Sequence, residues 1–521
     1  MQTAELLILL LISVAVFGLL ARRLGIPDPI VLVLGGLAVS FVPGLPRVEL
    51  QPSYVFLIVL PPLLYAQAWF TSWKEFCDNL RPIMMLAVGL VLITTTAVAF
   101  VAHACVPELP LAAAFVLGAI VSPPDAVAAS AIAHRLRLPK RMITVLEGES
   151  LINDATGLVA YKFALVAVVT GHFSIIGASG SFLIVVLGGV AFGLLVGWLF
   201  YWLLRWVQDD LIDIVLSLVT PYVAFLGAEQ LHCSGVLATV TAGIYLGARS
   251  SEYLSASTRL TGEAFWNTLV FLLNGVIFML IGLQLPQVVQ GLHAHPRGEL
   301  IKDTALIGGV VILTRILWVF PNAWLVRYWQ SASMPPWRNI AIVAWSGMRG
   351  VVSLAAALAV PKVLSTGAEF PERDLILFFT FAVILLTLVG QGLSLPWLIR
   401  RLGVSTGHSD DRQERAARRT AAQAALVHIE QVATEHQLTP DVLESVASVY
   451  RERLHHLEDE LAEILGWSPA RQRSVEGRRL RRAALDAERK HILALHREHR
   501  LSKDLLHKLE RELDLEEARL G

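Results

Sequence analysis

From residue 4 to residue 399 the chain alternates apolar runs of helical length with short polar breaks, and beyond Leu402 a charged, helix-prone stretch takes over. About 20 apolar residues cross a bilayer as a helix. On that measure the runs 4–21, 29–43, 52–70, 82–105, 109–133, 142–171, 181–206, 211–229, 233–249, 263–285, 301–325, 336–361 and 373–399 predict about thirteen transmembrane helices. The first run is expected to be retained rather than cleaved, because Met1 to Glu5 carries an acid and no base, and Arg22 and Arg23 follow the run. Lys and Arg collect in cytoplasmic loops. With the N-terminus outside, the inner loops hold Arg22, Arg23, Lys74, Arg81, Arg135, Arg137, Lys140, Arg141, Arg205, Arg249, Arg259, Arg327 and Arg338, against Arg47, Arg297, Lys302, Lys362 and Arg373 outside. The expected placement is a multi-pass protein of the cell inner (plasma) membrane, N-terminus outside and C-terminus cytoplasmic.

The last 120 or so residues divide differently. Thr439-Pro440 and Ser468-Pro469 pair a capping residue with proline in the first helical position, and Ser502 precedes another helical pattern. Four helices are expected, near 410–436, 440–465, 469–500 and 503–519. Leu454, Leu457, Leu461, Ile464 and Leu465, and again Leu505, Leu506, Leu509, Leu513 and Leu520, recur at helical spacing and suggest packing within the tail or across a dimer. Nine of the fifteen histidines lie between His408 and His507; a pH-sensing role is weighed against a solvated surface, and the surface reading is preferred. The domains expected are 1–401 for membrane transport and 402–521 as a cytoplasmic regulatory or dimerisation tail.

Composition agrees with this division: 55% of residues are hydrophobic, 17% are charged, and mean hydropathy is +0.60. A net charge of zero argues against nucleic acid as a partner. Cys77, Cys105 and Cys233 are far apart and lack metal-ligand or disulfide spacing, so they are expected to pack.

Against that apolar background one stretch is out of place. Glu147 to Leu158 puts Glu147, Glu149, Asn153 and Asp154 inside a run that is otherwise apolar. A carboxylate at the centre of a membrane helix costs about 3 kcal/mol or more, so such residues face a cavity or a partner and mark a transport path. At 1.5 Å per residue Asp154 falls about 18 Å into a hydrocarbon core about 30 Å thick.

The run 109–133 is interrupted by Ser122-Pro123-Pro124-Asp125, where two prolines remove backbone donors. The run 336–361 is interrupted by Ser346-Gly347-Met348-Arg349-Gly350. If spans 1–6 and 8–13 are inverted repeats joined by span 7, these breaks fall in corresponding spans, the fifth and the twelfth. Matching interruptions in two halves point to a transporter's ion site. Asp125 and Asp154 then meet beside broken backbone, where freed carbonyls, Pro124 among them, and the Ser150 hydroxyl complete a hard oxygen cage suited to Na⁺. Burial disfavours the charged form of a lone carboxyl and a bound cation restores it, so proton and cation compete for one group. Of the two arginines inside spans, Arg315 is expected to pair with Glu149, and Arg349 to neutralise a helix end at the break. Lys162 and Glu229 are expected to snorkel outward.

Gly148-Glu149-Ser150-Leu151-Ile152-Asn153-Asp154, with Pro61-Pro62, Ser122 to Val127, Ser234-Gly235, Arg315 and Gly347 to Gly350, resembles the sodium/proton exchangers of the monovalent cation:proton antiporter-1 family, bacterial NhaP-type proteins included. The resemblance covers spans 3 to 12. It implies Asp154 as the carrier of proton and cation, Ser150 as a ligand, Asn153 as a support of the broken helix, Asp125 as the acid of that helix, and Glu149 with Arg315 as an interhelix ion pair. It further implies a homodimer whose six-helix core moves as an elevator, and no cofactor beyond the transported Na⁺ and H⁺. The Asn-Asp form resembles the electroneutral branch that exchanges one cation for one proton. Two positions depart from the family pattern. Ala126 stands where many relatives have proline, which shifts the break, and Ala66 stands where an acid is common, which removes a candidate ligand.

The function expected is exchange of a monovalent cation, Na⁺ before K⁺ or Li⁺, for H⁺. An intramembrane aspartyl protease would need a Gly-x-Gly-Asp pattern, absent at Asp125 and Asp154. A sodium-coupled solute symporter would need a larger polar cavity than Thr220, Thr239, Thr241 and Asn274 supply in spans 8 to 10.

Overall fold

The computed structural model describes residues 2–42, 55–171, 175–290, 296–330, 336–364, 367–404, 409–435 and 439–464, with isolated positions between 484 and 513. It divides into two units, Met1–Ser405 and Thr406–Gly521. Among the described residues the extended pairing is limited to one isolated bridge, Val363 with Glu369, and every longer element is helical.

In the first unit α1 is Gln2–Leu24, α2 Asp28–Ser40 and α3 Leu60–Phe70. Next come α4 (Leu80–Cys105), α5 (Leu111–Val121), α6 (Ala126–Arg135) and α7 (Lys140–Thr170). Then follow α8 (Ile175–Val207), α9 (Asp210–Gln230), α10 (Gly235–Gly247) and α11 (Ala256–Gln290). The unit closes with α12 (Arg297–Gln330), α13 (Trp337–Trp345), α14 (Val351–Leu358) and α15 (Arg373–Leu402). Among the described residues eight helical stretches, counting α5 with α6 as one, are long and apolar enough to cross a membrane, while α2, α10 and the stretch Leu57–Phe70 are shorter apolar helices. Several helices outrun the apolar runs that announce them, since the backbone ladder continues into residues whose side chains have turned polar; α11 begins at Ala256, seven residues before its run.

Proline decides much of the local detail. Pro61 and Pro62 open α3 behind a π-helical turn, Val55–Val59. The missing N–H of Pro62 leaves the Ile58 carbonyl without its ladder donor, and the Tyr222 hydroxyl of α9 donates to it at 3.0 Å.

Five apolar clusters hold the described helices together, the smallest joining Leu10 of α1 to Met279 and Leu280 of α11. One joins α2 (Ile30, Leu32), α11 (Ile277, Phe278) and α15 (Phe381, Ile384) with the lower part of α7 (Met142, Leu146). A second packs α4, α5 and α15 through Val98, Leu117 and Phe379. A third gathers Tyr65, Phe200, Ala224, Ala242 and Trp266 from α3 and α8 to α11. The fourth lays Leu151 and Ala155 of α7 against Leu64 of α3 and Val236 and Val240 of α10. The outer faces are apolar too: α8 exposes Ile184, Leu187, Leu195, Trp198 and Leu199, as a helix bathed in hydrocarbon does.

The second unit shows α16 (Ser409–Glu435) and α17 (Pro440–Ile464), packed on each other with Ala422, Ala433 and Ala447 buried. The helices expected near 469–500 and 503–519, with their caps at Ser468 and Ser502, lie outside the described residues apart from isolated positions.

Candidate functional site

The site is built where α5 and α13 stop short and α6 and α14 restart. Pro123 and Pro124 have no N–H, and the N–H groups of Asp125 and Ala126 point elsewhere, so the last carbonyls of α5 lose their ladder donors. Their replacements come from side chains. The Ser122 hydroxyl donates to the Ala119 carbonyl at 3.3 Å. Arg349 donates through Nε to the Val121 carbonyl at 2.8 Å and through Nη2 to the Ser122 carbonyl at 3.2 Å. Ser122 itself is held by the Thr95 hydroxyl of α4 at 3.0 Å.

The α13–α14 break is satisfied the same way. Arg315 of α12 donates through Nε and Nη2 to the Val343 carbonyl at 3.2 and 3.1 Å, and Arg349 donates through Nη1 to the Gly347 carbonyl. The Arg349 N–H reaches the Thr387 hydroxyl of α15 at 3.1 Å. Across the two breaks the Asp125 N–H donates to the Met348 carbonyl at 2.7 Å, tying one interrupted helix to the other by backbone.

Charge follows the helix ends. Asp125 is the N-cap of α6, accepting from the Val127 N–H at 2.8 Å, and its second oxygen accepts from the Val351 N–H of α14 at 3.4 Å. One carboxylate therefore meets the positive ends of two helices, while Arg349 meets the negative end of α5 and Arg315 that of α13. Gly350 makes this approach possible: a Cβ there would overlap the Asp125 carboxylate.

α7 passes this crossing with its polar stretch buried. Asn153, fully buried, donates through Nδ2 to the Pro124 carbonyl at 2.7 Å, and its Oδ1 has no partner. The Ser150 hydroxyl accepts from the Ala126 N–H at 3.3 Å. Proline in place of Ala126 has no such proton to give, so this departure from the family pattern supplies Ser150 with a contact. Asp154, one turn after Ser150, is 7% exposed and has no hydrogen bond or ion pair among the described residues. The charged group whose field reaches it is Asp125.

One turn before Asn153 the same helix carries the opposite arrangement. Glu149 Oε1 and Oε2 accept from Arg315 Nη1 and Nη2 at 2.5 and 2.9 Å, a bidentate pair with both side chains at most 2% exposed. With its bonds to Val343, Arg315 ties α7, α12 and α13 together.

Ser150, Asn153, Asp154, Pro124, Asp125 and Arg349 thus gather around the crossing, and Glu149 with Arg315 lies beside it. Other residues go elsewhere. Lys162 does not snorkel alone: it pairs with Glu229 of α9 at 3.0 Å, half exposed. Glu147 meets the imidazole of His134 at 3.1 Å, also exposed. Ala66 is buried in the cluster around Tyr65, Ala238 and Ala242, with members from α8 to α11. Thr95 and Thr387 were missed from the sequence because a lone threonine in an apolar run is ordinarily a self-satisfied helix residue. The signal available was spacing, since Thr380, Thr387 and Gln391 repeat on one face of α15.

Comparison with known proteins adds the family. The family model described as sodium/hydrogen exchanger, transmembrane, matches residues 8–401. An uncharacterized Na⁺/H⁺ exchanger of Mycobacterium tuberculosis is 37% identical over 526 residues, covering 99% of this chain and 95% of that protein. The sodium, potassium, lithium and rubidium/H⁺ antiporter of Bacillus subtilis is 34% identical over 449 residues, 83% of this chain and 66% of that protein. Among solved structures, the sodium proton antiporter MjNhaP1 of Methanocaldococcus jannaschii matches with a TM-score of 0.61 at 20% identity, over 77% of this chain and 99% of that one, a likeness of fold. This membrane-embedded chain belongs to the sodium/hydrogen exchanger family, whose members are transporters rather than enzymes.

Proposed function

We propose that this antiporter exchanges one monovalent cation, Na⁺ foremost, for one H⁺, with Asp154 carrying either. The observation that carries the reading is the Asp154 carboxylate, buried without a partner beside two interrupted helices. Every other charged group at the crossing is committed: Asp125 to two helix N-termini, Arg349 to freed carbonyls, Glu149 and Arg315 to each other. An uncommitted buried carboxylate gains from binding either a proton or a cation, and crossing the bilayer empty and charged is penalised. The Ser150 hydroxyl, the Asp125 carboxylate and the carbonyl of Pro124 are the oxygens we assign to a dehydrated Na⁺. Asn153 acts by holding the Pro124 segment in place.

The carboxylate alternates sides by an elevator movement of a core, α4 to α7 with α12 to α15, against the remaining helices of a homodimer. The apolar contact of Leu151 and Ala155 with α3 and α10 supports a sliding surface there. In this scheme thirteen spans form two inverted repeats, the N-terminus lies outside the plasma membrane, and residues 402–521 form a cytoplasmic regulatory tail. Since the Bacillus subtilis relative is named for Na⁺, K⁺, Li⁺ and Rb⁺, cation choice in this chain is expected to extend to K⁺ and Li⁺. Family membership leaves the solute symporter without support.

Purified protein in liposomes with an internal pH dye tests the reading. Pulses of Na⁺, K⁺ or Li⁺ should drive proton movement, with half-saturating cation concentration rising as pH falls, because protons occupy the same carboxylate. Absence of any cation-driven pH change would overturn exchange. A K⁺/valinomycin clamp should leave the rate unchanged, and a rate that follows membrane potential would overturn the one-for-one ratio.

A further inference from the structure

We propose that a cavity of about 300 Å³ between the α1–α2 turn and the C-terminal ends of α6 and α15 binds a phosphate-bearing anion. Three guanidinia line it: Arg22 in the last turn of α1, Arg135 in the last turn of α6 and Arg400 in the last turn of α15. Asp28 is the one acid in the lining, and although the fields of Arg22 and Arg135 reach it, neither closes an ion pair with it.

Arginine in a last helical turn is usually explained by the negative end of the helix, and arginine on this side of a membrane protein by topology. Those explanations account for each residue singly. They do not account for convergence of three guanidinia on one concavity, with no hydrogen bond from any of them to a helix carbonyl or carboxylate among the described residues. Arg22 is positioned over the Phe271 ring, 5.8 Å from its centroid, and makes no hydrogen bond or ion pair through its guanidinium among the described residues.

The backbone keeps the space open. Gly25, at φ +73°, turns the chain out of α1 so that the Ile26 N–H closes on the Ala21 carbonyl at 3.1 Å. A Cβ at Gly25 would stand 3.3 Å from Arg135 Nη2, so the missing side chain gives that guanidinium its room. Pro27 leads into α2 without a side-chain cap, and the uncapped start of this 13-residue helix belongs to the same lining. Planar, forked donors converging on one space are suited to phosphate oxygens, which guanidinia bind two at a time. Basic pockets between membrane helices on the cytoplasmic side take phosphate headgroups. The volume is that of a small-ligand site, about 300 Å³ or more. α6 runs from its N-cap Asp125 to Arg135, so the anion would sit at the far end of the helix that Asp125 begins.

Binding is measured on the full chain in a neutral detergent by thermal unfolding and by native mass spectrometry, with phosphatidylglycerol, phosphatidylcholine and inorganic phosphate as separate probes. Phosphatidylglycerol should stabilise the protein saturably and phosphatidylcholine should not. Arg22→Gln, Arg135→Gln and Arg400→Gln should each weaken half-saturation about fivefold, and Arg23→Gln, on the same turn of α1 but outside the cavity, by less than about twofold. Each replaces an exposed side chain, so folding is retained, and an unchanged elution volume checks it. If inorganic phosphate reproduces the arginine-dependent shift, the anion is drawn from solution; if only the lipid does, it is drawn from the bilayer. Equal affinity in wild type and in all three cavity variants, or an equal effect of phosphatidylcholine, overturns the site. The readout is binding, so its failure leaves the exchange reading untouched.

Discussion

Glu149 and Asp154 lie five residues apart on α7 with opposite fates. Glu149 is locked into a bidentate pair with Arg315, and Asp154 has nothing. Removing one partner of a buried pair leaves an uncompensated charge, at a cost of about 3–5 kcal/mol, whereas replacing both by apolar groups of similar size is often neutral. Glu149→Gln should therefore unfold at a markedly lower temperature, and Glu149→Leu with Arg315→Met should recover most of the loss; equal destabilisation by the single and double changes would show that the pair is not what Arg315 contributes. Asp154→Asn should behave in the reverse manner, folding at least as well as wild type while losing cation-driven proton flux in liposomes to background. Retained flux would move the carrier elsewhere. The Lys162–Glu229 pair stands apart from both, since its exposure limits it to about 0–1 kcal/mol.

At the scale of elements, the two interrupted helices are the organising device. An interrupted helix within a membrane is tolerated only where each freed carbonyl finds a donor. Here guanidinia donate at both breaks, joined by the Ser122 hydroxyl at the Ala119 carbonyl, and one arginine, Arg349, serves both. The arrangement depends on close approach at Gly350. Gly350→Ala puts a methyl into the Asp125 carboxylate, which must swing away from the Val351 and Val127 N–H groups. Overpacking of this kind costs about 1–3 kcal/mol. The expected outcome is a lowered melting temperature together with weakened cation affinity; normal affinity in a stably folded Gly350→Ala protein would show that Asp125 is not fixed by this contact.

At the scale of the molecule, the chain divides into two compact units, Met1–Ser405 and Thr406–Gly521. Truncation after Ser405 is expected to leave an exchanger that folds, because the apolar clusters around α7 draw their members from Val14 to Val404. If the tail regulates, the pH profile of exchange in liposomes shifts on truncation; an identical profile would reduce the tail to assembly.

The sequence by itself determined the helical class, the apolar runs, the two breaks and the charged stretch on α7. Each rests on a local property: hydropathy over a window, the missing N–H of Pro123 and Pro124, the charge of Glu149 and Asp154. It also supplied the family, because Gly148 to Asp154 forms one contiguous string. Apart from the Glu149–Arg315 pair, what it did not determine were partnerships across long separations. That Arg349 reaches back to Val121 and Ser122, that Thr387 receives the Arg349 N–H, and that Lys162 finds Glu229 all depend on where helices cross. A lone polar residue in an apolar run has no signature of its partner. Only the tertiary structure, by committing Asp125 to two helix N-termini and Glu149 to Arg315, decided that Asp154 was the carboxylate left uncommitted.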